Sequence, residues 1–134
     1  MGLQNATLKD EATSFSITGG TDVTFNIDGQ VVNGGGIHTV DVAATDNRTR
    51  RNFVFKSKAH ALQPDGKYSK QKRWITFRLP KILDDGSTVL EVYRFESEIH
   101  PETSLAEEKA QRYLFLQTLF DTDFESFHSV GSLI

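Results

Sequence analysis

Apolar residues recur at every second position through much of the first hundred residues, and the character changes after His100-Pro101. A period of two marks strands with one apolar face, whereas a capping signal before an apolar stretch marks a helix. Thr13–Ile17 and Asp22–Ile27 both alternate, and Gly19-Gly20 lies between them, so an N-terminal hairpin is predicted. Asp28-Gly29 and Gly34-Gly35-Gly36 punctuate the chain before Ile37–Ala43, a run with His38, Val40 and Val42 on one face. The glycine triplet is followed by neither GK[ST] nor a helix, so it reads as a flexible turn and not a phosphate cradle. His38 reads as a packed or hydrogen-bonded side chain.

The turn Thr45-Asp46-Asn47 leads to a strand from Asn52 to His60. Its even positions are Val54, Lys56, Lys58 and His60; its odd positions are Phe53, Phe55, Ser57 and Ala59. After the turn residues Pro64-Asp65-Gly66 comes a second strand, Lys72 to Leu79. Lys72, Trp74, Thr76 and Arg78 share one side, and Arg73, Ile75, Phe77 and Leu79 the other. Pro80 is expected to end it, having no amide hydrogen for the ladder. Beyond the turn Asp84–Ser87, the last strand runs from Thr88 to Ile99. There Tyr93, Phe95 and Ile99 join the apolar set, and Val92, Arg94 and Glu96 the polar one.

Ser104-Leu105-Ala106-Glu107 is a capping box, predicting a helix to about Phe120. A second short helix, capped at Asp121 or Thr122, ends at Gly131. The expected fold is α+β in one domain, residues 1–134. An N-terminal hairpin region (1–30) precedes an antiparallel meander sheet (37–100) and two C-terminal helices (103–131). The first helix is apolar almost all round from Tyr113 to Phe120. Such a helix must be covered on every side, and one sheet covers only one. A two-fold homodimer is therefore expected, with Tyr113, Leu114, Leu116 and Phe120 in its interface.

Composition sharpens the picture. Residues 48–81 hold eleven of the fifteen Lys and Arg residues against one acid, Asp65, or +10. The rest of the chain carries four bases against seventeen acids, or −13, for a net −3. Cations gathered on one sheet face point to a polyanion, RNA foremost. Without Cys there is no disulfide, thiolate zinc site or catalytic thiol. His38, His60, His100 and His128 lack metal-binding spacings, so neither metal nor cofactor is expected. No nucleophile or acid–base constellation supports an enzyme, and nothing calls for a small-molecule substrate. No signal peptide is predicted, and no apolar run approaches the roughly 18 residues of a membrane span.

The stretch Lys72 to Lys81, the passage from Val92–Ser97 into Ser104–Lys109, and the order of elements resemble the coat proteins of single-stranded RNA bacteriophages. That resemblance implies an interlocked homodimer, each chain's helices lying across the partner's sheet. It implies an icosahedral shell with the sheets inward, made in the bacterial host cytoplasm and ending in the virion. The inner face would bind genomic RNA and one hairpin overlapping the replicase start, which represses translation. Carried over by strand and face, the inward residues are Lys56, Lys58, Lys72, Trp74, Thr76, Arg78, Arg94 and Glu96. Lys and Arg would neutralise phosphates, Thr76 would donate a hydrogen bond, and Trp74 would stack on an unpaired base. The loop Ile82–Ser87 is shorter than in many relatives, and the long hairpin His60–Lys70 would reposition the tip of the RNA surface. The alternative is a cellular sheet-type RNA or single-strand-binding module, which would be a monomer without a shell.

Overall fold

The structure is a computed structural model that describes residues 5–44, 46 and 49–131. Thr45 and Asn47 of the expected turn, and Arg48 of the basic block, lie outside the described residues. Two compact units form: Gly20–Pro101, and Met1–Gly19 together with Glu102–Ile134.

The first unit is a five-stranded antiparallel meander in the order β1-β2-β3-β4-β5. The strands are β1 (Phe25–Ile27), β2 (Ile37–Asp41), β3 (Asn52–Lys58), β4 (Gln71–Ile82) and β5 (Thr88–Ile99). Each follows its neighbour through a turn, so the register is in phase across the sheet. Phe53 pairs with Phe77, and Phe77 with Tyr93. The rings of this row touch across the strands, with centroids 4.6 Å and 6.1 Å apart, and Phe25 meets Phe53 edge-on at 4.9 Å. Such aromatic contacts stabilise by about 0.5–1.5 kcal/mol each beyond burial.

Pro80 does not end β4. It pairs with Leu90, and the strand continues to Ile82. The reason is positional. The pairing with β3 stops at Arg78↔Asn52, so β4 has a partner on only one side at Pro80 and is locally an edge, where a missing N–H is tolerated.

The second unit holds α1 (Leu105–Phe120), a 3-10 turn (Thr122–Phe124) and α2 (Glu125–Val130). Ser104 Oγ accepts from the Glu107 amide at 3.2 Å, as the capping box requires. Asp121 Oδ1 accepts from the Asp123 amide at 3.0 Å, and Gly131 closes α2 in the left-handed region at φ 69°.

The expected N-terminal hairpin is replaced by another arrangement. Residues 13–17 form no strand, and β1 pairs with β2. The preceding chain is tied to the helices of its own unit. The Gln117 side chain accepts from the Lys9 amide at 2.7 Å and donates to the Lys9 carbonyl at 2.7 Å. The Thr7 amide reaches Asp123 Oδ2 at 3.2 Å, and the Phe15 ring lies 6.5 Å from that of Phe120. A side-chain amide that matches both backbone groups of one residue satisfies them without a ladder. Thr13–Ile17, with only two large apolar side chains, has little to gain from pairing.

Candidate nucleic-acid interface

Alternation along each strand and the in-phase register sort the side chains of the sheet into two faces. One carries the rows Lys58–Lys72–Glu98, Lys56–Trp74–Glu96, Val54–Thr76–Arg94 and Asn52–Arg78–Val92. Every residue expected to face RNA is in these rows. The opposite face carries Phe25, Phe53, Phe55, Ile75, Phe77, Tyr93 and Phe95.

The faces also differ in how their charges are satisfied. On the aromatic side, Arg51 donates to Asp41 Oδ2 at 2.8 Å, Arg73 to Gln71 Oε1 at 3.2 Å, and Lys81 lies 3.9 Å from Glu91. The Arg51 guanidinium and the Ala43 amide hold the Asp41 carboxyl below its usual range. On the opposite side Lys58, Arg78 and Arg94 make no hydrogen bond or ion pair among the described residues. Lys72 is paired, 3.0 Å from Glu98, and that pairing raises the lysine's pKa and lowers the glutamate's. The free cations are therefore concentrated where alternation places them.

A groove of about 1040 Å³ runs over this face, bounded by residues 30–36 and by Val54, Trp74, Thr76 and Arg94. The glycine turn forms one wall of it, which the sequence did not disclose. Lys56 donates to the Asn33 carbonyl at 2.6 Å, so this candidate phosphate ligand is engaged by the loop. A Cβ on Gly36 would stand 2.7 Å from Phe55 O and 2.8 Å from Lys56 Cγ, at a φ of +123°. Only glycine allows that approach. Gly36→Ala should lose more stability to urea than Gly35→Ala, by about 1–3 kcal/mol for the added close approach. Gly35 has a positive φ but nothing within 4 Å of its Cβ, so equal losses would show that contact with β3 is immaterial.

A smaller pocket of about 410 Å³ adjoins, lined by Asp28, His38, Arg50, Asn52 and Arg78 among others. His38 Nδ1 lies 2.9 Å from both Asp28 oxygens, as its packed reading predicts. The Gln30 amide, then His38, lowers the Asp28 pKa. Asn52 Oδ1 is buried here without a partner among the described residues. Asn52 was legible as a polar-face residue only by parity with Val54, with no chemical signal of its own. Among the described residues no group of three His, Asp or Glu is placed to hold a metal.

Of the residues expected at a dimer interface, Tyr113, Leu114 and Leu116 are half-buried and Phe120 is exposed. Val54, on the basic face, is the one buried apolar residue among the described residues, at 4% exposure. The aromatic face keeps large apolar side chains open to solvent. Ile27, Ile37, Phe55, Ile75, Val89 and Tyr93 remain exposed on it.

The sheet thus sets a charged face with free cations against an aromatic one with exposed side chains. Comparison with solved structures gives the class. The chain superposes on a chain of the virus-like particle of bacteriophage GQ-907 with a TM-score of 0.91 and 41% identity, covering 99% of this chain and 100% of that one. It also shares its fold with a chain of the virus-like particle of bacteriophage AVE019, at a TM-score of 0.66 and 14% identity over 96% and 97% of the two chains. No protein-family model and no curated protein matches it. The protein belongs to the bacteriophage coat proteins, structural subunits of capsids and not enzymes.

Proposed function

We propose that this is the coat protein of a single-stranded RNA bacteriophage. Two copies interlock as a homodimer, and dimers close an icosahedral shell around the genome in the host cytoplasm. The observation that carries this reading is the segregation of the sheet: free Lys58, Arg78 and Arg94 on one face, six exposed apolar side chains on the other. A partner chain covering those six would stabilise by on the order of 5–10 kcal/mol. That is comparable with a domain's entire net stability of about 5–15 kcal/mol. Tyr113, Leu114, Leu116 and Phe120 of α1 supply the covering surface.

The inward face then meets RNA. Lys58, Arg78 and Arg94 neutralise phosphates, with Lys56 and Lys72 available once their present contacts are exchanged for phosphate oxygens. Trp74, half-buried in the groove beside Thr76, offers a stacking surface. The unpartnered Asn52 Oδ1 accepts a hydrogen bond from a base donor or a water. Glu96, across from Trp74, repels phosphate and favours base donors, which suits a folded hairpin over bare backbone. Such a hairpin at the replicase start is the translational operator.

Expression of the chain in bacteria, followed by electron microscopy and nuclease protection, tests the reading. Closed particles holding nuclease-resistant RNA are expected. A monomer that ignores RNA at low ionic strength would overturn it.

A further inference from the structure

The basic face does not stop where the paired strands do. β3 ends at Lys58 and β4 begins at Gln71, yet the chain between them keeps the same register. Lys58 pairs with Lys72, and four residues further out Leu62 pairs with Tyr68, with no slip between. Strand alternation therefore adds His60, Leu62, Tyr68 and Lys70 to the face of Lys58 and Lys72, about 13 Å beyond the paired strands. This projection is ordered by its own hydrogen bonds. The Ser69 amide donates to the Ala61 carbonyl at 2.9 Å, the Gln63 amide to the Lys67 carbonyl at 2.8 Å, and the Gly66 amide to the Gln63 carbonyl at 3.0 Å. Its side chains are open: Tyr68 is 51% exposed and Leu62 65%. His60 meets the Tyr68 ring edge-on at 5.3 Å, while its Nδ1 lies 3.2 Å from Gln71 Nε2. Residues 58–72 hold four lysines against Asp65 alone, a net +3.

We propose that the end of the β3–β4 ribbon is a separate contact for unpaired RNA, with Tyr68 stacking on a base and Lys70 neutralising an adjacent phosphate. The proposal rests on the RNA-binding reading of the sheet and extends it to a different class of RNA, single strand in place of hairpin. Three features favour RNA over a protein partner. The surplus charge is positive in a chain that is acidic elsewhere. The aromatic ring is braced by His60, so stacking immobilises little. The face is continuous with the row carrying Lys58.

Full-length dimers of the parent, Tyr68→Ser, Lys70→Gln and Lys58→Gln can be titrated with a labelled oligouridine across a range of salt. Tyr68→Ser should weaken binding by about five- to a hundredfold, the range of one lost base stack, with an unchanged salt slope. Lys70→Gln should lower the logarithmic salt slope by about 0.7. If Tyr68→Ser and Lys70→Gln bind like the parent while Lys58→Gln is weakened, the ribbon end is not an RNA contact and only the sheet reading stands. The same holds if Tyr68→Ser binds normally but fails to assemble, since the ribbon is then a contact between coat subunits. A parent that binds no RNA removes the broader reading and this one with it.

Discussion

Phe53→Ala should lose the soluble dimer or reduce its unfolding free energy by about 3–5 kcal/mol, the range for truncating a packed Phe. Phe53 is the hub of the aromatic face, with ring contacts to Phe25, Phe55 and Phe77 at 4.9, 6.0 and 4.6 Å. Three ring contacts at about 0.5–1.5 kcal/mol each already approach that figure. The ring is only half-buried, so if a second chain covers it, as proposed, much of the loss should arise there. Urea unfolding at two protein concentrations, with size-exclusion chromatography, separates the contributions: a dimer-borne loss grows on dilution. An unchanged midpoint would mean that the aromatic row is not a core. Lys58→Ala, on the other face, should move the midpoint by less than about 0.5 kcal/mol.

Charge reversal on the basic face should have the largest effect on RNA. Arg78→Glu with Arg94→Glu removes two free guanidinium groups from neighbouring rows that are bridged by the Thr76↔Arg94 and Arg78↔Val92 pairings. If both neutralise phosphates, the logarithmic salt slope falls by about 1.4–1.8, at roughly 0.7–0.9 per contact. Particles of the variant should emerge with little encapsidated RNA. Lys81→Glu with Lys109→Glu makes the same change in net charge at a lysine of the aromatic face beside Glu91 and a helix lysine over Tyr113. That control should retain the parent slope. Equal slopes in both variants would show that overall charge, and not the sheet face, governs binding.

The two faces were legible because strand alternation admits no drift. Once Phe53 and Lys56 were seen to differ in parity, every partner on β4 and β5 followed. The capping box at Ser104 was legible for a similar reason, being short-range and chemically specific. Pro80 misled because its effect depends on whether a strand lies alongside, which is a property of β3's starting point. Thr13–Ile17 misled because alternation shows that a segment can pair, while contacts distant in sequence, such as that of the Phe15 ring with Phe120, lie outside what alternation records.

From the chain alone came the two-faced sheet, the placement of its cations and the helix pair, consequences of local periodicity and charge, and a likeness to phage coat proteins carried by particular stretches and the order of elements. Tertiary structure decided which cations are free: Arg51 is claimed by Asp41, Lys56 by the Asn33 carbonyl and Lys72 by Glu98, while Arg78 and Arg94 stay open. It also turned the glycine run into a wall of the groove and carried the basic face out to Tyr68. Those outcomes depend on residues distant in sequence meeting in space, and periodicity along a chain carries no record of such meetings.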